Sequence, residues 1–357
     1  MRKILVVLLI ALLAGCAHNN SGSEDLTNFI PDNSVVILKL QDPDLFFSNL
    51  KNNEFLRKNN THPLSKQLQA KLSLLDFLPH NDPAYLSFSL SKDNTPDFTF
   101  ISRGEENVTI DSVKNKMVET YTTKDQKITK YTIEDQVAYM AVKDSIHIFS
   151  SSKELLENSL TKNDHLKRSS DFQKAMKASS AQRPGIFVNH QLLTPVLKKW
   201  FPRENFDLFN SFSNWTVVDA DITQSAIKLN GITTAGDTIP KSVNIFKGVG
   251  TSENLLAGIT PLSSKGFYSV TFREFSKLNQ NLRTYRKDSL PKGISKEQEL
   301  LETASEDGMI YLEDKEIFAV RTLDLEAAKI AMSSQQDVLE EFRDISIFKY
   351  SDQDDFR

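Results

Sequence analysis

A single cysteine, Cys16, stands in a chain of 357 residues. No intramolecular disulfide can form, and no thiolate cluster can hold a metal. Stability has to come from packing. Glycine and proline are sparse, at 12 each, so little of the chain suits ligand-cradling loops. Neither GxGxxG nor GxxxxGK[ST] occurs, which removes the two common phosphate loops; Lys247-Gly248-Val249-Gly250 is only a bend. No cofactor is expected. The histidines are His18, His62, His80, His147, His165 and His190. No two stand at helical ligand spacing and HExxH is missing, so no metal site is expected. The GxSxG elbow is absent as well. Basic charge is not in excess, with 43 Lys and Arg against 47 Asp and Glu. Nothing here neutralises a run of phosphates, and nucleic acid is excluded as a partner.

What is present begins at the N-terminus. Met1-Arg2-Lys3 is cationic, Ile4 to Leu13 is apolar, and Leu13-Ala14-Gly15-Cys16 follows. This is the layout of a secretory signal over residues 1–15. The apolar run is shorter than the ~20 residues a membrane span needs. The four residues ending at Cys16 resemble the lipobox of bacterial lipoproteins. The resemblance implies cleavage between Gly15 and Cys16, acyl chains (palmitate among them) on Cys16, and a membrane as partner. Ala17 rather than aspartate after the cysteine implies the outer membrane. Losing Arg2 and Lys3 leaves 41 basic residues against 47 acidic ones, a formal charge of −6.

Residues 16–29 are polar and read as a lipidated tether. The 39% apolar content and 23 phenylalanines suffice for a core. A first domain is expected over 30–240 and a second, shorter one over 251–357. Val35–Leu40 is a strand by its β-branched run. Asp42-Pro43 opens a helix, and Pro63–Leu78 is another. Strands are expected at Ala84–Leu90, Phe98–Ser102, Lys127–Ile133, Val137–Val142, Ser145–Phe149, Gly185–Val188, Trp215–Ile222 and Ala226–Thr233. Helices are expected at Ser152–Leu160, Phe172–Ala178 and Leu192–Trp200. Further on, Leu255–Gly258 and Gly266–Phe272 read as strands, and Glu274–Tyr285 and Lys296–Thr303 as helices. Ile345–Tyr350 reads as a last strand, before an acidic tail. That tail is either a frayed end or the lead into a longer chain.

Residues 134–160 align without a gap on 306–332. Glu134/Glu306, Asp135/Asp307, Tyr139/Tyr311, Lys143/Lys315 and Glu154/Glu326 coincide. Ser152 and Asp324 fall together as N-caps, and Ser151 with Glu154 can make a capping box. Ile30-Pro31 and Thr260-Pro261 each lead into a strand and helix. The fold class expected is therefore α+β: antiparallel sheets with helices on one face, in two related halves of strand–helix and ββα units. The opening Ile30-Pro31-Asp32-Asn33-Ser34-Val35-Val36 loosely resembles uncharacterised bacterial envelope lipoproteins, a resemblance that implies no activity.

Few residues offer chemistry. Ser150 and Lys153, and Ser89 and Lys92, have SxxK spacing, but the Lys-Thr-Gly strand of penicillin-recognising enzymes is missing; Ser151 and Ser152 read as caps. Asp219 and Asp221 share one face of a strand, which the alternation marks as the wet one. His147 is expected on an exposed strand face. Trp200 and Trp215 read as core. No catalytic residue is assigned. The expected function is a non-enzymatic binding or scaffold module, held in the envelope by Cys16 and facing a protein or glycan partner. Two alternatives stand beside it: a hydrolase of envelope or extracellular polymer using Asp219 and Asp221, and the first part of a larger surface protein.

Overall fold

The computed structural model describes residues 25–58, 61–78, 83–90, 95–104, 113, 115–123, 126–143, 145–161, 169–200, 211–236, 240–287, 296–333, 338–342 and 345–348. The chain divides into two units. One runs to Asn210 and includes Asn214–Thr234; the other takes Ser211–Ser213 and everything from Ala235.

In the first unit, β1 (Ser34–Leu40) is central because both its faces are apolar. Ile37 points one way and Leu38 and Leu40 the other, all at most 9% exposed. It pairs on one side with β2 (Ala84–Leu90) and on the other with β8 (Gly185–Asn189). The remaining strands are β3 (Pro96–Arg103), β4 (Lys116–Thr123), β5 (Gln126–Ile133), β6 (Gln136–Lys143), β7 (Ile146–Ser150), β9 (Trp215–Ile222) and β10 (Ile227–Thr233). The ten form one sheet in the order β10-β9-β8-β1-β2-β3-β7-β6-β5-β4, with every neighbouring pair antiparallel.

Each face carries its own core. Ile37, Tyr85, Ile101, Ile148, Phe187, Trp215 and Val217 meet the turn Leu26–Phe29, α4 (Lys153–Leu160) and α5 (Ser170–Ala178). Leu38, Leu86, Phe98, Phe100 and Phe149 meet α1 (Pro43–Asn52) and the 3-10 turn Ser73–Phe77. Burying one such side chain contributes about 1.5–3 kcal/mol. The α+β class and the antiparallel pairing are as the sequence suggested. The layering is richer: helices lie against both faces of this sheet, because its inner strands are apolar on both.

Local chemistry sets the helix starts. Asp42 accepts from the Leu45 N–H at 2.8 Å, Ser152 from Leu155 at 3.5 Å and Ser169 from Phe172 at 3.3 Å, each an N-cap. Two short helices, α2 (Glu54–Lys58) and α3 (Pro63–Leu72), and α6 (His190–Trp200) complete the unit.

The second unit is built on β11 (Gly266–Thr271), β12 (Ala304–Tyr311) and β13 (Glu316–Thr322), in that order and antiparallel. One face packs Val270, Phe318 and Val320 with Phe272, Phe275, Leu278 and Leu301, the last three from α8 (Phe275–Arg286) and α9 (Lys296–Glu302). The other face meets α7 (Leu256–Ile259). Leu255–Gly258 was expected as a strand. It is instead mostly this helical turn, because the Glu306 carboxylate collects the N–H groups of Leu255 and Leu256. Gly308 lets β11 approach: a Cβ there would lie 2.3 Å from the Tyr268 carbonyl oxygen. α10 (Leu325–Ser333) follows, and β14 (Val338–Phe342) pairs with β15 (Ile345–Phe348).

The two units share one construction. Each starts with a four-residue helical turn, Leu26–Phe29 or Leu256–Ile259. A proline turn follows, in which Ser34 N–H donates to Pro31 at 3.1 Å and Ser264 N–H to Pro261 at 3.0 Å. Then come a strand, helices and a hairpin, paired in the order β1-β2-β3 or β11-β12-β13. Ala84 faces Ser102 in the first hairpin and Ala304 faces Thr322 in the second, so the hairpins are equally long. The opening turn covers one face and the intervening helices the other.

This changes the partner of the sequence repeat. The 134–160 and 306–332 segments do both give two strands and a capped helix, with Asp324 accepting from the Ala327 N–H at 3.0 Å. Their hairpins are out of step, however: Lys143 faces Ile146 across a two-residue connection, whereas Tyr311 faces Glu316 across four residues. The counterpart of β12–β13 by pairing is β2–β3.

Candidate functional site

Gly15 and Cys16, the two residues of the expected cleavage and lipidation site, lie outside the described residues, as do His18, His80, His165 and the side chain of Trp200. The other candidates are occupied with structure. His147 is 9% exposed; it was expected on an open face, but β7 sits between β3 and β6 with cores on both sides. The His190 ring lies 2.8 Å from the Thr216 hydroxyl, which is 2.9 Å from that of Thr233.

Of the two SxxK spacings, that of Ser89 cannot be followed because Lys92 lies outside the described residues, and that of Ser150 and Lys153 does not assemble. Ser150 Oγ donates to the Phe98 carbonyl at 2.7 Å. Lys153 stands over the Tyr121 ring, 4.9 Å from its centroid, and 3.7 Å from Glu157. Ser151 is not a helix cap: its hydroxyl donates to Asp97 at 2.8 Å and accepts from the Phe98 N–H at 3.0 Å. Lys71 neutralises buried Asp97 from α3. This trio fastens a helix and a strand end to β3.

Asp219 and Asp221 share a face, as their spacing required, yet that face is not simply wet. Asp219 accepts the Ser180 N–H at 3.0 Å and clamps the chain that follows α5. Asp221 is exposed. Trp215 is core, 5.0 Å from the Phe172 ring centroid.

The arrangement with most chemical content lies in the second unit. Pairing aligns three rows on one face of its sheet: Val270–Asp307–Val320, Tyr268–Met309–Phe318 and Gly266–Tyr311–Glu316. The first row is roofed by α8 and α9. Beyond that roof, Tyr268 of the second row is 54% exposed and Tyr311 of the third 36%. Their ring centroids are 6.3 Å apart at 40°. Burial pushes the Asp307 carboxyl up to about 6, helped by the neighbouring Glu306 charge. Tyr268 is raised by partial burial and then by Tyr311, Asp307 and Glu316. The site is thus a pair of half-open phenol rings beside two carboxylates, one able to change protonation near neutrality. Strands β11–β13 position all four residues through one register.

Sequence reasoning singled out Asp307 and Tyr311 only as repeat identities, and missed Tyr268 and Glu316. The period-2 alternation of Gly266–Thr271 was the available signal, since it sets Tyr268 beside Val270. Among the described residues no group of three His, Cys, Asp or Glu is placed to hold a metal ion. No described helix is long and apolar enough to cross a membrane. Comparison with protein-family models, with curated proteins and with solved structures finds no match.

Proposed function

We propose that the chain is a non-enzymatic lipoprotein of the cell envelope, tethered through acylated Cys16 and the polar segment after it, most naturally to an outer membrane. Its second unit serves as a binding module for an envelope glycan or protein. The signal-like N-terminus and lipobox support the anchoring half. The observation that carries the binding half is the Tyr268–Tyr311 pair beside Asp307 and Glu316. Phenol rings offer flat apolar area with a polar tip, and carboxylates accept hydrogen bonds from hydroxyl or amide groups.

Two measurements test this. Mass spectrometry of the mature N-terminus should find an acylated Cys16, and Cys16→Ala should release the protein from membranes; an unmodified cysteine defeats the anchor. NMR titration of the soluble mature chain with envelope glycan fragments and peptides should shift Tyr268 and Tyr311. Tyr268→Ala should weaken binding about tenfold, equivalent to ~1.4 kcal/mol. Turnover of a polymer that disappears in Asp307→Asn would replace this reading with a hydrolase whose acid is Asp307 rather than Asp219 or Asp221.

A further inference from the structure

We infer that the outer edge of β10 is a self-association site, and that its partner is β10 of a second copy of this chain, paired antiparallel about Asn230. The inference does not depend on what the tyrosine face binds.

β10 ends the ten-stranded sheet among the described residues. Hydrogen bonds fix which of its backbone groups look outward. Thr223 N–H donates to the Ala226 carbonyl and Thr234 N–H to that of Trp215, both at 2.9 Å. The even-numbered residues of β10 therefore bond to β9, since hydrogen-bonded pairs alternate along an antiparallel ladder. Ile227, Leu229, Gly231 and Thr233 turn their N–H and C=O groups the other way. Among the described residues no backbone hydrogen bond reaches those groups. Residues 228–232 are exposed, Leu229 at 55% and Ile232 at 43%. Such a row is a template for a further strand. The usual defences are thin: β10 has no proline, its pairing with β9 runs without a bulge, and its single charge is Lys228.

The sequence of β10 says which strand fits. An antiparallel partner sets outward residues opposite outward residues. For a second copy, the register with Ile227 opposite Thr233 pairs all seven residues of the strand and places Asn230 opposite Asn230 on a two-fold axis. Lys228 then meets Ile232. Sliding one strand by two residues leaves two of each copy unpaired, and sliding by four sets Lys228 against Lys228, a repulsive pair. In the full register Leu229 falls opposite Gly231. β9 requires that glycine, because a Cβ there would lie 1.9 Å from the Val217 carbonyl oxygen. The space it leaves on the edge receives Leu229 of the second copy, and the two leucines meet diagonally across the axis. On the other face each Asn230 amide has a donor and an acceptor for the other. Two-fold pairing of one patch with itself is the commonest symmetry of soluble homo-oligomers.

Cysteine trapping in the full mature chain tests the register, with Cys16→Ser removing the native thiol. Facing residues of a non-hydrogen-bonded pair have Cα atoms about 4.5 Å apart, within the ~4.4–6.8 Å a disulfide spans. Asn230→Cys should therefore close a disulfide between two chains under mild oxidation. Lys228→Cys alone should not, because its two copies stand ~13 Å apart along the strands at ~3.3 Å per residue; mixed with Ile232→Cys chains, it should cross-link. No closure at Asn230→Cys, or equal closure of Lys228→Cys with itself, overturns the inference. Hydrogen exchange supplies a second measurement without engineered thiols. The Leu229 and Gly231 amides should exchange about tenfold more slowly in concentrated than in dilute solution, while the Asn230 amide, bonded to β9, does not respond. Concentration-independent exchange at Leu229 overturns the inference as well. Leu229→Pro removes only an outward N–H, which an edge strand tolerates. It should sediment as a monomer with unchanged circular dichroism, and a dimer that survives it places the association elsewhere.

Discussion

Asp307 is a carboxyl whose proton is held more tightly in the folded chain than in the unfolded one, since burial raises it to about 6 from an ordinary value of roughly 4. The folded state therefore binds more protons between these values, and stability falls as pH rises through that window, then levels off. Asp307→Asn should flatten the profile. We expect it to stabilise the second unit by on the order of 1 kcal/mol at pH 7, a reduced figure because the group is partly exposed, and by nothing at pH 4. Urea midpoints at the two pH values check this. Its neighbour Glu306 is held by backbone donors. It is fully buried and accepts the N–H groups of Leu255 and Leu256 at 2.8 and 3.2 Å. Glu306→Ala strands those donors, and should cost about 1–3 kcal/mol, with faster amide exchange at both leucines.

At the scale of elements, most of the structure was legible where a period and a cap coincide. Asp42-Pro43 before α1, Ser152 before α4 and the antiparallel pair expected at Trp215–Ile222 and Ala226–Thr233 were all readable from capping residues and apolar pattern. β4 was missed because Lys116–Thr123 is largely exposed and shows no clean alternation of apolar residues. Leu255–Gly258 misled because an apolar quartet suits a strand as well as a helical turn, and the deciding carboxylate lies some fifty residues away. The tyrosine face was hidden for a related reason: its four members come from three strands, and only their register brings them together. Gly308 guards that register. Gly308→Val should push β11 off β12, destabilise the second unit by more than about 1 kcal/mol and abolish the Tyr268–Tyr311 contact, readable as lost NOEs between the rings.

At the scale of the molecule, the first unit rests on one sheet with two cores. Phe100, 2% exposed, lies in one of them. Phe100→Ala should cost about 3–5 kcal/mol. Trp200 and Trp215 both belong to this unit, so tryptophan fluorescence during urea unfolding should report that loss. Central β1 carries a further consequence, in time rather than in space. It is the first of the described strands to be synthesised, and Ile37 finds Phe187 only after a hundred and fifty more residues have been made. Until then, one side of this inner strand stays unclosed while local hairpins such as β4–β5 and β5–β6 can already zip. Order of birth and order in the sheet run against each other, and a nascent chain stalled before β8 would expose its most apolar edge to whatever strand arrives first.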